Sequence, residues 1–377
     1  MSVRAGEHDT VATLLRDYRP ESFFLASPRG VVLAPSPAFG LTSPDEARSA
    51  LADARPGTLL VGAFPFDLRR PARVGLSERV RHAAPMVPGS VTTPAGVSAV
   101  RWSWNDPDPG AYQVAVARAL DRITAGDLRK VVLARSAELI ADRPPRPAEL
   151  LAALAASDPS AYVFATDLGR RTLLGASPEL LVSRRCGTVL ANPIVGSAPR
   201  DPDPVQDGHN ATALLRSVKE HQEHHMVVDK VADALAPLCR RLRVPKLPEL
   251  LRTAQMWHLS SRVTALPREG VTALDLALAL HPTPAVCGRP DGSAREVINE
   301  VEPFRRDFYT GIVGWTDTWG DGEWAIALRC GELRDASLRL YAGTGVVETS
   351  TPEEGAAGTS AQLRTLLSAL GAGDAER

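Results

Sequence analysis

Short apolar runs, each stopped by proline, glycine or serine, follow one another along this 377-residue chain, and single helical stretches interrupt them without regular alternation. That order predicts antiparallel sheets with flanking helices rather than the strict strand-helix alternation of a doubly wound fold. Strands are read at residues 30–34, 58–64, 130–140, 162–166, 172–175, 180–183, 256–263, 312–315, 323–332 and 338–342. Helical periodicity covers residues 114–125, 147–154, 211–242 and 273–279, with Pro237 marking a kink or an early end in the third. The fold class expected is α+β, a two-sheet antiparallel sandwich. A stretch rich in proline, glycine, serine and threonine at 85–96 places the lobe boundary near residue 98, giving an N-terminal lobe, 1–98, and a larger region, 99–377.

Composition removes several function classes. The 43 basic residues balance 44 acidic ones and form no long basic run, so neither nucleic acid nor an anionic membrane surface is an expected partner. No apolar stretch reaches membrane-spanning length, and the first ten residues lack a charged-then-apolar leader, which predicts a cytoplasmic protein. Cys186, Cys239, Cys287 and Cys330 are far apart with no CxxC pair, so buried reduced thiols are expected rather than zinc or disulfides. Gly343-Thr-Gly345 lacks a third glycine and a following helix, and the dinucleotide fingerprint therefore fails.

Chemistry concentrates in a few places. Glu220 and Glu223 recur at helical spacing with Val227 and Val231, which puts two carboxylates on a packing face beside His224. Such a pair calls for a counter-charge, a proton or an oxygen-preferring divalent metal, unless the face is simply solvated. On the strand at 130–140, Lys130 shares the inward side with Val132, Ala134 and Ser136, where desolvation would equip it as a general base; snorkelling to water is the structural alternative. Glu179, after Pro178 at a strand mouth, suits a proton donor or a plain turn carboxylate. The turn around Gly196 and Ser197 and the Gly343-Thr-Gly345 segment offer backbone N–H groups to an anion. Arg329 can pair with a carboxylate, and His258 can orient it. The polar stretch 198–209 reads as a loop able to act as a flexible cover.

At these residues the chain resembles the chorismate-utilising enzymes, and among them the isochorismate synthases. Lys130-Val-Val-Leu-Ala-Arg135, Gly175-Ala-Ser-Pro-Glu179-Leu-Leu, Asn192-Pro-Ile-Val-Gly196-Ser197 and the helix of Glu220, Glu223 and His224 occur in the family's order from about residue 112 to 370, with a weaker echo in Gly62-Ala-Phe-Pro-Phe-Asp67. The loop His281-Pro-Thr-Pro-Ala285 is the form similar to isochorismate synthases rather than to anthranilate, aminodeoxychorismate or salicylate synthases. The resemblance implies a sandwich like that of anthranilate synthase component I, with Lys130 activating water and Glu179 protonating the departing 4-hydroxyl. It places chorismate against Gly196, Ser197, His258, Ala285, Tyr309, Arg329, Gly343 and Gly345, with magnesium on Glu220 and Glu223. A monomer or weak dimer is expected, and the product suits siderophore, salicylate or menaquinone routes.

The C-terminal motif departs from this pattern. Gly355 and Gly358 stand at two acidic positions, the second a metal ligand in the family, Gln362 replaces a lysine, and Arg305 and Asp307 replace an Asp and a Gly. A weakly bound magnesium is the consequence expected, unless Glu353, Glu354, Asp307 or water substitutes. Two rival readings follow: a divergent chorismate-pocket protein catalysing another conversion, and a non-catalytic subunit.

Overall fold

The computed structural model describes residues 9–98, 100–105, 109–253 and 256–373, and the leader reading made on the first ten residues falls mostly outside the described ones. Among the described residues two large antiparallel sheets, of ten and nine strands, stack face to face, and a three-stranded sheet stands beside them. Strands before and after residue 98 are neighbours in both: Phe23–Ser27 pairs with Tyr162–Asp167, and Leu59–Phe64 with Ile312–Asp317. No helix among these residues is long and apolar enough to cross a membrane.

Sandwiched strands have two buried faces, which is why they read as unbroken apolar runs. In Phe23–Ser27, Phe23 and Leu25 point between the sheets with Val32, Val61, Val313 and Ala325, while Phe24 and Ala26 face an outer core. Helices Pro147–Ser157 and Pro352–Ala369 cover that outer face with Leu151, Leu154, Leu363 and Leu366. On the second sheet, Val218–Leu235 and Ala273–Leu280 bury Val228, Val231, Leu235, Leu274 and Leu276. Apolar burial on this scale, at about 25 cal/mol per Å² removed from water, is the principal force holding the layers together.

Several boundaries differ from the sequence reading. The expected helix 211–242 is two helices, Pro204–Arg216 and Val218–Leu235, because Ser217 breaks the first and caps the second by accepting from Glu220 N–H. The first begins inside the presumed cover loop, where Asp203 is its N-cap and half-buried Arg200 binds Asp207 at 2.8 Å. The run 323–332 is two strands, Gly322–Ile326 and Cys330–Arg334, separated at Arg329, whose φ of 45° lies in the left-handed region. Likewise 256–263 divides into Met256–Ser260 and Val263–Pro267, which join different sheets. Cys239, Cys287 and Cys330 are buried free thiols, whereas Cys186 is exposed.

Candidate active site

The site grows from the strand Lys130–Ala141. Its alternation, with Val131 and Leu133 packed beneath against Tyr112, Val116 and Ile298, turns Lys130 to the other side. There Lys130 is 4% exposed, and its Nζ donates to Glu223 Oε2 at 3.3 Å. Gly345 lies on the paired strand Ser337–Val346, where a side chain would start 3.2 Å from Lys130 Cε. The snorkelling alternative is therefore excluded: the amine is held inside against a carboxylate.

Glu179 sits between strands Thr172–Ser177 and Leu180–Arg185, fixed by its carbonyl, which accepts from Ile326 N–H at 3.2 Å. It is 5% exposed. Burial pushes its carboxyl up to about 8, against the opposing pull of a backbone hydrogen bond from Ile194 and of the Lys130 charge. At neutral pH it is thus chiefly a protonated acid facing the electrostatic field of a buried amine. The two residues expected to be base and acid, distant in the chain, occupy one buried environment.

Ile194 begins the strand Ile194–Pro199, which carries the anion turn of the sequence reading. Gly196 adopts φ 88° at an irregularity in the pairing with Met256–Ser260, and a Cβ there would meet Glu220 Oε2 at 2.9 Å. Ser197 Oγ lies 2.6 Å from His258 Nδ1. The Nε2 of that buried histidine has no partner among the described residues. Burial, followed by the Arg329 charge, lowers the His258 pKa to about 4, so the ring is neutral at pH 7. Arg329 is itself half-buried, with burial lowering its pKa and Asp158 opposing. Tyr309 is stacked on Tyr341 at 4.9 Å, and its hydroxyl would crowd a Cβ at Gly343 at 2.8 Å. Ala285 lies in the turn after His281, whose Nε2 is 3.1 Å from Phe66 O in the Gly62–Asp67 segment.

His224 packs inward: its Nδ1 is 3.1 Å from Val195 O and its Nε2 2.8 Å from Ser261 Oγ, a buried tie between elements. One expectation is corrected. Gly343-Thr-Gly345 is no open turn but part of the strand Ser337–Val346, and Gln362 satisfies both backbone groups of Gly343, accepting from its N–H at 3.2 Å and donating to its carbonyl at 2.9 Å. The candidate substitute ligands are engaged elsewhere or exposed. Asp307 accepts from Arg171 at 3.4 Å, Glu354 closes a capping box with Thr351, and Glu353 is exposed.

Sequence reasoning missed Glu302 and Arg306, which hold the site's frame. Arg306 pairs with Glu302, both buried, and donates to Val286 O at 2.7 Å and Val132 O at 2.6 Å, while Glu302 accepts from Ala134 N–H at 2.8 Å. The pair thereby clamps the lysine strand to the loop after His281. A buried pair placed i, i+4 was visible in Glu302-Pro-Phe-Arg-Arg306, but its long-range partners were not.

Among the described residues, Glu220 and Glu223 are the carboxylates expected to meet a dication here. Among the described residues no group of three or more His, Cys, Asp or Glu side chains is arranged to hold a metal. Two carboxylates nevertheless fit magnesium, which retains waters and takes further oxygens from a bound anion. Burial and then the Glu223 charge raise the Glu220 pKa, an unfavourable pairing that a cation relieves.

This chain belongs to the chorismate binding enzyme family, whose profile matches residues 85–371. It is 45% identical to the isochorismate synthase of Bacillus subtilis over 95% of this chain and 96% of that protein. A crystal structure of a putative 2,3-dihydroxybenzoate-specific isochorismate synthase from Bacillus anthracis superposes with a TM-score of 0.88 at 40% identity, covering 96% of this chain and 99% of the other. The anthranilate synthase component I of Streptococcus pneumoniae, at 21% identity and a TM-score of 0.73 over 97% of this chain and 95% of that one, shares the fold.

Proposed function

We propose that this protein is an isochorismate synthase, which isomerises chorismate by adding water at ring carbon 2 and expelling the 4-hydroxyl. The observation that carries this reading is the burial together of Lys130 with Glu179, the latter kept protonated up to about pH 8. Lys130 accepts the proton from water as its oxygen bonds to carbon 2; the ring double bonds shift, and Glu179 gives its proton to the departing oxygen at carbon 4. One water enters and one leaves, so the mass of the ring compound is unchanged. Gly196, Ser197, His258, Ala285, Tyr309 and Arg329 form the wall that orients the ring and its carboxylates. The buried Nε2 of His258, without a partner among the described residues, and the half-buried Arg329 are matched by an acceptor-bearing anion.

Glu220 and Glu223 would hold magnesium, which supplies charge neutralisation for the ring carboxylate when bound. Chromatographic analysis of products after incubation with chorismate, with and without magnesium, tests the assignment. Isochorismate as the product is expected; pyruvate release, or unaltered chorismate at saturating magnesium, would overturn it.

A further inference from the structure

The small sheet that carries Ser197 and His258 stands apart from the two large ones, and little backbone pairing fixes its register. Pairing between Ile194–Pro199 and Met256–Ser260 is irregular between Ile194 and Ser197, beside Gly196, and at the other end Pro199 has no N–H to give. The alignment of Ser197 with His258 therefore leans on side chains. Arg200 and Asp207 supply them. Asp207 Oδ1 accepts from Arg200 Nε at 2.8 Å, from Trp257 Nε1 at 2.9 Å and from the Asp201 N–H at 3.1 Å, and Asp207 Oδ2 accepts from the same Arg200 Nε at 3.0 Å. Arg200 also donates to Thr253 O at 3.2 Å and lies over the Trp257 ring, 4.9 Å from its centroid.

One carboxylate thus joins three carriers of the site. Arg200 follows Ser197 by three residues, Trp257 directly precedes His258 and pairs with Ala198, and Asp207 stands on Pro204–Arg216, which Ser217 joins to the helix of Glu220 and Glu223. With side chains 16% and 13% exposed, Arg200 and Asp207 are largely withdrawn from water. Such a pair recovers little beyond its desolvation cost and is a poor source of stability, but its directed bonds fix geometry closely. We infer that Arg200, Asp207 and Trp257 are positioning residues, which hold Ser197 and His258 at the spacing that receives the anionic substrate and act on it only through them. This assignment rests on the reading of the site as a chorismate pocket. Lys130 and Glu179 are carried by the large sheets, and Val218–Leu235 is anchored separately by Val228, Val231 and Leu235, so loss of the clamp should weaken binding rather than the chemical step.

Steady-state kinetics of the full chain with chorismate at saturating magnesium, read beside thermal melting, test this. Asp207→Asn keeps the shape and discards the charge; it should raise KM about tenfold or more and leave kcat within about threefold. Trp257→Phe keeps a ring under Arg200 and removes its N–H, and should raise KM about threefold. Asp203→Ala strips the N-cap from the same helix without touching the clamp, so it should lower the melting temperature with KM unchanged. Should Asp207→Asn fail to fold, Trp257→Phe against Asp203→Ala carries the comparison. An unchanged KM in the clamp variants, a fall in kcat alone, or an equal rise of KM in Asp203→Ala would overturn the assignment. Where the parent binds chorismate without converting it, the dissociation constant takes the place of KM, and the proposed activity fails while the clamp stands; a parent that binds no chorismate overturns both.

Discussion

Two helices of equal length flank the chemistry, and their faces have opposite character. Val218–Leu235 and Pro352–Ala369 are both 18 residues long, both opened by a hydroxyl N-cap, and both anchored by a buried apolar stripe. The first presents Glu220 and Glu223, one of them bound to Lys130; the second presents Gly355, Gly358 and Gln362. Packing is satisfied by Val227 and Val231 in one and by Leu363 and Leu366 in the other, so the fold is indifferent to what the inner positions carry. Negative charge consequently enters from one side only. The C-terminal helix contributes a neutral amide clamp on Gly343 through Gln362 and no carboxylate at Gly355 or Gly358, and a bound dication would depend on a single helix and its ligand.

The largest effect belongs to the pair that neither helix supplies. Lys130→Met and Glu179→Gln should each lower kcat by 10²- to 10⁴-fold, the usual worth of a positioned base or acid. Steady-state rates of isochorismate formation measure this, and near-normal turnover in either variant would remove that residue from its role. Next comes the charged helix. Glu223→Gln removes one of two carboxylates from a hard-cation site, and the magnesium concentration giving half-maximal rate should rise about tenfold or more. A comparable change on replacing an inner residue of the C-terminal helix would erase the contrast between the two.

Acidity gives a third, smaller effect. Because Glu179 must hold its proton to donate it, kcat/KM should fall as pH rises through about 8, tenfold per further unit, as a pH-rate profile would record. The same raised pKa has a stability consequence. Glu179 contributes stability that is complete below its unfolded value of 4.5 and lost as pH climbs through about 8. Thermal melting of Glu179→Gln should accordingly lack that loss, and the variant should gain on the parent at alkaline pH. Equal melting temperatures across the range would place this carboxyl in water.

Strands were the legible part of the fold, since burial on both faces writes them as continuous apolar runs. Lys130 and Glu179 were legible because a charge interrupts such a run at each. What escaped was decided by single side chains acting locally or by contacts across the chain. Ser217 lies three residues before Glu220, a capping signature inside an apolar periodicity that reads as one helix. The strand break at Arg329 has no glycine or proline to announce it. Gln362 reads as a lost lysine, yet its amide completes the free edge of the strand at Gly343, a partnership no spacing encodes. His224 is four residues after Glu220 and on nearly the same side of the helix, but the ties of its ring to Val195 and Ser261 run across the chain and no spacing encodes them.

The smallest expected effect separates the two glycines of the neutral helix. A side chain at Gly355 would begin 3.3 Å from the Tyr112 ring and 3.4 Å from Val116, within a buried apolar cluster, so a glutamate there desolvates a charge without reaching the lysine strand's open side. At Gly358 the first obstacle is Thr344 Cγ2, 3.0 Å away, a single methyl on the strand that also carries Gly343 and Gly345. Thr344→Ser deletes that methyl while keeping the hydroxyl that lies 2.9 Å from Tyr112. In Thr344→Ser/Gly358→Glu the half-saturating magnesium concentration should drop a few-fold relative to Thr344→Ser alone, whereas Gly355→Glu should chiefly lower the melting temperature. An unchanged magnesium requirement in the double variant would mean that the C-terminal helix offers no metal-facing position, and that the charge asymmetry belongs to the fold rather than to two replaced residues.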